Sequence, residues 1–133
     1  MQPDILKLHE RLEIALELGE SHYREFKSAF EGPPGAKQPR DIKEVCIDIG
    51  KTLVAFANAD GGELFIGVED NHSVTGIPYL KEQYFETIRN APTEYIMKAT
   101  PVPIKRNMLF EYKGNKIHYF SVDKGAEYVH QTH

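Results

Sequence analysis

Residues 52–70 read TLVAFANADGGELFIGVED, and this stretch decides the fold. An apolar pattern with helical spacing runs into the polar and glycine-rich residues 58–62, and the apolar run 64–68 follows. A short apolar run bounded by such residues predicts a buried strand. Glu69 and Asp70 come where that strand ends. Side chains at this position project from a rigid frame toward solvent, which is where α/β proteins place their sites.

The glycines around this strand have a structural interpretation. Asn58, Asp60, Gly61 and Gly62 form a tight connection from helix to strand, in which glycine relieves backbone strain. Gly67 inside the strand predicts a bulge or the close approach of another backbone. Both interpretations are compatible with any function.

The size and composition are those of an ordinary globular domain. With 133 residues and 15.2 kDa, the chain fits one domain, 1–133, that buries about two thirds of its unfolded surface. Its one cysteine, Cys46, excludes an internal disulfide and fits a small core residue in a reducing compartment. There is no apolar run of the roughly 20 residues that a membrane span needs. The N-terminus also lacks the pattern of a signal peptide, so we expect a cytoplasmic protein.

The charge is unevenly distributed. The net charge of −4 argues mildly against avid nucleic-acid binding, which depends on neutralising phosphates. Residues 1–97 hold 10 Lys/Arg and 17 Asp/Glu (−7), whereas residues 98–133 hold 6 and 3 (+3). The C-terminal third therefore presents either a basic face or ordinary surface lysines on a hairpin. Its candidate cations are Lys98, Lys105, Arg106, Lys113 and Lys116.

Periodicity and turn residues predict the order of elements. We expect a helix over 3–18, a strand over 21–28, a loop over 31–40 that covers a site, and a long helix from a cap at Asp41 to about Asn58. Short helices over 80–90 and 93–99 and a hairpin of strands 105–112 and 116–122 complete the chain. This mixture predicts an α/β (α+β) domain with a single mixed sheet and helices packed mainly on one face.

Gly50-Lys51-Thr52 resembles the end of a phosphate-binding loop, but the full pattern needs a glycine where Val45 stands. The tripeptide also lies inside the helical pattern, where no backbone amide is free to hold a phosphate. We therefore exclude a phosphate-binding loop.

Carboxylates near the predicted strands are candidate metal ligands, because Mg²⁺ and Mn²⁺ prefer oxygen donors. They are Glu20, Glu25, Glu69 and Asp70. Glu25 and Lys27 are two residues apart, hence on one face of a strand and opposite Phe26. Glu20 can converge with Glu25 only if it lies in an irregular entry after Gly19. From spacing alone, the alternative to a metal site is that these carboxylates are ordinary solvated surface residues.

Two spaced motifs stand out in the sequence. They are residues 20–27 (ESHYREFK) and residues 55–62 (AFANADGG), the second followed by 64–70 (LFIGVED) and 74–76 (VTG). Together they resemble the Schlafen AlbA-type domain. The clear resemblance covers about residues 17–78, and the helix and hairpin over 80–122 agree loosely. Proteins with this domain are described as DNA-binding transcriptional regulators, helicase-related proteins or divergent AAA ATPases, and the domain is widespread in bacteria.

The resemblance implies a domain of a bacterial regulator or accessory protein that binds nucleic acid, either DNA or RNA. Phosphate contacts are then expected from basic side chains on the strands and hairpin. These are Lys27, Lys105, Arg106, Lys113 and Lys116. A nucleotide-binding, ATPase-like domain is an alternative that the missing phosphate-binding loop disfavours.

A metal-dependent endoribonuclease is the alternative from the enzyme class. In animal Schlafen proteins, related domains cut structured RNA with a metal ion held by three carboxylates. The resemblance assigns two of these to Glu20 and Glu25 and the third to Glu69 or Asp70, with Mg²⁺ or Mn²⁺ as the cofactor. Lys27 would stabilise developing charge. Animal nucleases join two such domains into a clamp, so a homodimer would be needed to rebuild it here.

Overall fold

The computed structural model describes residues 3–78, 82–96 and 102–125. Within these ranges the chain forms four helices and six strands. In chain order they are α1 (Pro3–Leu18), β1 (Arg24–Lys27), β2 (Phe30–Glu31), β3 (Gln38–Pro39), α2 (Ile42–Ala57), β4 (Gly62–Ile66), α3 (Glu82–Arg89), α4 (Ala91–Tyr95), β5 (Ile104–Tyr112) and β6 (Asn115–Val122). Parts of both predicted short helices, over 80–90 and 93–99, lie outside the described residues, as does Lys98.

The main sheet is mixed, as the sequence predicts. Its strand order is β1-β4-β6-β5, with β1 parallel to β4 and the other neighbours antiparallel. A parallel pair needs a long crossover, and here the β2–β3 hairpin and α2 together supply it. The carboxyl ends of β1 and β4 consequently meet at one edge of the sheet.

Three helices pack on one face of this sheet and one on the other, which confirms the prediction that the helices lie mainly on one face. α2 begins at the predicted cap, where the Asp41 side chain accepts a hydrogen bond from the backbone N–H of Lys43. Its apolar stripe packs with α3 and α4 against the β4–β6 face. α1 covers the opposite face through Leu8, Leu12 and Ala15. Gly50-Lys51-Thr52 lies within α2, so its backbone N–H groups form the hydrogen bonds of the helix and are not free to hold a phosphate.

The connection from α2 to β4 is tight and depends on two glycines. The cap residue Asn58 stays in the right-handed helical region, and the positive φ falls at Gly61 (+86°). A Cβ at Gly61 would come within 2.8 Å of the Val122 carbonyl oxygen. A Cβ at Gly62 would come within 2.5 Å of the Phe56 ring. Larger residues at these two positions would therefore push β4 away from α2 or from the end of β6.

A buried carboxylate joins four elements at the amino end of β4. Glu63 is 6% exposed. Its side chain accepts hydrogen bonds from Arg24 Nε on β1 (2.9 Å), from the hydroxyl of Tyr119 on β6 (2.7 Å) and, more weakly, from Arg11 Nη1 on α1 (3.4 Å). Burial, together with this bond to Glu63, raises the pKa of Tyr119 well above its usual range. The tyrosine therefore stays protonated and donates to the carboxylate.

Replacing Glu63 by glutamine should lower the free energy of unfolding by about 3 kcal/mol, because it leaves the buried Arg24 guanidinium without its counter-charge. Urea denaturation of the wild type and the variant measures this loss. Glu86→Gln is the control: Glu86 pairs with Arg89 on the exposed side of α3 and should cost less than about 0.5 kcal/mol. Equal stabilities for the two variants would contradict a stabilising role for the Glu63 network.

His118 is a second buried polar side chain, on β6. Its Nε2 lies 2.5 Å from Asn107 Oδ1, and Asn107 Nδ2 donates in turn to the Arg89 carbonyl. An amide oxygen only accepts, so Nε2 carries the proton; within the described residues Nδ1 has no hydrogen-bond partner. Burial lowers the pKa of His118 to about 3, and the charge of Arg89 acts in the same direction. The ring is therefore neutral at pH 7.

This lowered pKa makes stability depend on pH. Between about pH 6.5 and pH 3, His118 is protonated in the unfolded chain but stays neutral in the folded chain. The free energy of unfolding should therefore fall with falling pH, by about 1.4 kcal/mol per unit from this residue. Urea denaturation at pH 6 and pH 5 should show a steeper loss for the wild type than for His118→Leu. Identical losses would show that His118 does not titrate in this way.

Candidate functional site

A cavity of about 980 Å³ lies at the carboxyl ends of β1 and β4, flanked by the β2–β3 hairpin and α2. All four carboxylates expected from the sequence line it, together with Lys27. Residues 31–40, predicted as a loop that covers a site, instead form most of the β2–β3 hairpin, and Pro34, Lys37 and Arg40 contribute to the cavity rim. The complete lining is Glu20, Glu25, Phe26, Lys27, Ser28, Phe30, Pro34, Lys37, Arg40, Asp48, Glu69, Asp70, Asn71, Ser73 and Thr75.

Glu20 reaches this cavity because the chain is irregular between α1 and β1. Gly19 turns the backbone with a φ of +81°, and Glu20 follows before the strand begins. Its Oε2 accepts a hydrogen bond from the backbone N–H of Phe26 (3.0 Å). β1 is an edge strand, so the Glu20 carboxylate accepts a backbone hydrogen bond that a further strand would otherwise accept. Glu20 and Glu25 therefore border one cavity despite their odd spacing.

Glu25 and Lys27 share a face of β1, as their spacing predicts. Phe26 between them is buried on the opposite face, against α1. Lys27 Nζ lies 3.2 Å from Glu25 Oε1, and the two side chains are 31% and 37% exposed. An ion pair this open to water contributes little to stability, so both groups are available to a ligand.

Glu69 and Asp70 follow β4 in a tight loop. The Glu69 N–H donates to the Ser73 carbonyl, and the Thr75 hydroxyl donates to Glu69 Oε2 (2.6 Å). Gly67, just before them, has a φ of +107°, and a Cβ there would lie 3.1 Å from Gly76 Cα. This is the close backbone approach that the sequence indicates. It turns the chain so that the acidic pair faces the cavity.

The carboxylates suit a hard divalent cation chemically, but they are not assembled as a ligand sphere. Among the described residues, no three Asp, Glu, His or Cys side chains lie close enough together to hold a metal ion. Glu20, Glu25 and Glu69 each have one oxygen engaged by a protein donor. Side-chain rotation would be needed before a cation could bind three of them.

Three cations line the cavity beside these carboxylates, and sequence reasoning identified only Lys27. Arg40 donates to Asp48 Oδ2 within α2 (2.7 Å) and to the carbonyl of Ser28, the residue after β1 (3.1 Å), so it links α2 to the end of β1. Lys37 lies on the exposed tip of the β2–β3 hairpin. One sequence signal could have identified Lys37 and Arg40. Both lie in residues 31–40, the loop that was predicted to cover a site.

The five basic residues predicted to contact nucleic acid do not form one patch. Lys27 lies in the cavity, and Lys113 and Lys116 lie at the turn of the β5–β6 hairpin. Lys105 and Arg106 line a second cavity at the other end of that hairpin. At about 3.3 Å per residue, the two ends of β5 are roughly 25 Å apart. The structure therefore divides these cations among three places.

No helix in the described ranges is long and apolar enough to cross a membrane.

Comparison with solved structures supports this fold. The crystal structure of the DIP2311 protein from Corynebacterium diphtheriae matches with a TM-score of 0.56 and 19% identity, over 98% of this chain and 24% of that one. This chain therefore spans about a quarter of that protein. The solution structure of the N-terminal domain of an ATP-dependent DNA helicase RecG-related protein from Nitrosomonas europaea matches with a TM-score of 0.61 and 17% identity, over 94% of this chain and 80% of that domain.

The family assignment comes from the sequence itself. The model of the Schlafen, AlbA_2 family matches residues 20–133, which begin at Glu20 and include every residue of the first cavity. The match extends beyond the motifs at 20–27 and 55–76 into the C-terminal hairpin. The chain therefore belongs to the Schlafen AlbA_2 family.

Proposed function

We propose that this chain is a nucleic-acid-binding domain whose first cavity contacts the sugar-phosphate backbone. The observation that carries the proposal is the composition of that cavity, where Lys27, Lys37 and Arg40 stand together with Phe30 and Pro34. Cations attract phosphate, and an aromatic ring offers a surface for a base or sugar. The name of the helicase-related neighbour supports the same class of ligand.

The net charge of the chain affects the affinity of such binding and its dependence on salt. The chain carries −4, so its long-range field does not attract a polyanion, and affinity rests on local contacts. Five carboxylates line the cavity against its three cations, so the net charge of the lining is also negative. We therefore expect modest affinity that depends strongly on salt, because each phosphate contact releases a counterion.

Lys27→Gln combined with Lys37→Gln should flatten this salt dependence. Each phosphate contact to a single strand contributes about 0.7 to the slope of log K against log salt, so losing two should lower the slope by about 1.4. Fluorescence anisotropy with a labelled 20-mer between 50 and 200 mM KCl measures it. Both lysines are partly or fully exposed, so the fold should survive.

The matched control is Lys7→Gln combined with Lys43→Gln. Both residues are exposed, on α1 and at the start of α2, and neither lines the first cavity or the one at the other end of the β5–β6 hairpin. This double variant removes the same charge and should keep the wild-type slope. Equal slopes for all three proteins would exclude the first cavity as the phosphate-binding surface.

A metal-dependent endoribonuclease is a second candidate, favoured by one observation. Glu20, Glu25, Glu69 and Asp70 border a single cavity although they come from three separate segments. In this proposal they would hold Mg²⁺ or Mn²⁺ after side-chain rotation. A bound divalent ion would polarise the scissile phosphate and lower the pKa of an attacking water. Lys27, released from Glu25, would orient the phosphate and offset its negative charge.

Glu25→Gln should then abolish cleavage while leaving the fold intact, because Glu25 is partly exposed and its ion pair with Lys27 is weak. The assay is a labelled structured RNA with Mn²⁺, analysed on a denaturing gel beside an EDTA control. Glu86→Gln, on the exposed side of α3 and outside the cavity lining, should cleave like the wild type. Undiminished cleavage by Glu25→Gln would assign the activity to a contaminant and remove this candidate.

A further inference from the structure

A second cavity, of about 280 Å³, lies at the opposite edge of the sheet, on the face covered by α1. It is bounded by α1, the turn before β1, the amino end of β4 and the start of β5. Its lining residues are Arg11, Tyr23, Arg24, Gly62, Glu63, Lys105, Arg106, Tyr119, Ser121, Val122 and Asp123. None of them lines the first cavity, so the two sites are separate.

A β-bulge brings two cations into this second cavity. Ile104 pairs with Val122 and Arg106 with Ser121, so Lys105 is an extra residue in β5. In a regular strand, neighbouring side chains point to opposite faces, so without the bulge the Lys105 and Arg106 side chains would point away from each other. A bulge changes the direction of side chains. Lys105 and Arg106 consequently both border the cavity.

The charge of this cavity is positive although the chain is acidic. Four cationic side chains line it against two carboxylates, Glu63 and Asp123. Glu63 is occupied by its bonds to Arg24, Arg11 and Tyr119. Within the described ranges, neither cation of the bulge has a carboxylate within 4.0 Å. In the part of the chain that the structure describes, two positive charges at the mouth of one small cavity therefore have no carboxylate counter-ion.

An exposed aromatic ring stands beside these charges. Tyr23 is 43% exposed, one of the few large apolar side chains in the described part of the chain to be so open. The Arg24 guanidinium lies 5.3 Å from its ring centroid, and the His22 ring meets it edge-on at 5.1 Å. These contacts hold the ring in place, and an exposed ring beside cationic side chains is an arrangement on which proteins stack an unpaired base.

We propose that the second cavity binds an unpaired nucleotide of a single strand, with its base on Tyr23 and its phosphate at Lys105 and Arg106. The proposal rests on the nucleic-acid-binding function and adds the class of ligand. The cavity is just below the roughly 300 Å³ of the smallest ligand pockets, so it admits part of one nucleotide and not a paired duplex. A paired base is also stacked within its helix and cannot reach Tyr23.

The test compares a fluorescein-labelled single-stranded 10-mer with the matching duplex by anisotropy at 50 mM KCl. Tyr23→Leu should weaken binding of the single strand about tenfold and that of the duplex less than twofold. Lys105→Gln combined with Arg106→Gln should weaken single-strand binding by a similar factor. The Lys7→Gln and Lys43→Gln double variant removes the same charge and should bind like the wild type.

The outcomes separate this inference from the function on which it rests. If the wild type binds neither ligand, the nucleic-acid-binding function is excluded and the subsite with it. If the wild type binds but Tyr23→Leu and the Lys105/Arg106 double variant match the control, the subsite is excluded while the function stands. Equal weakening of single strand and duplex by Tyr23→Leu would overturn the assignment of an unpaired base to the ring.

Discussion

The rest of the structure depends on the hydrogen bonds and ion pair that the buried Glu63 carboxylate makes. The carboxylate lies at the amino end of β4 and holds β1 through Arg24, β6 through Tyr119 and α1 through Arg11. β1 has only four residues and a single neighbour in the sheet, so few backbone hydrogen bonds fix its position. A buried ion pair at one end sets its register against β4, because a slip by one residue would separate the charges.

That register decides what the sheet presents at its two ends. With the amino ends of β1 and β4 tied together, their carboxyl ends lie side by side, and Lys27 and the loop after Gly67 face the same space. The crossover through the β2–β3 hairpin and α2 supplies the other walls. Sites at the carboxyl ends of neighbouring parallel strands are a general feature of α/β sheets. The same network also borders the second cavity, so one carboxylate supports both sites.

Local patterns in the sequence predicted what depends on local physics. Apolar spacing and the cap at Asp41 predicted α2, and two segments separated by turn residues predicted the β5–β6 hairpin. The irregular entry after Gly19 was recognised as the condition under which Glu20 and Glu25 could share a site. The burial of Glu63 was missed, because its partners Arg24 and Tyr119 come from strands distant in sequence. The burial of His118 was also missed, although its partner Asn107 lies on the other strand of the same hairpin. The separation of Lys105 from Lys113 was also missed, although the length of one strand implies it.

The most direct test of the account is a titration of the ¹⁵N-labelled protein with single-stranded RNA and DNA 10-mers, followed by backbone amide chemical shifts. If the first cavity binds the nucleic-acid backbone, the largest changes should fall at residues 25–28, 37–40 and 69–75, with those of α3 unchanged. Additional changes at residues 22–24 and 105–106 would come from the second cavity. Binding that leaves the amides of residues 25–28, 37–40 and 69–75 unshifted, or no shifts with either ligand, would contradict the account.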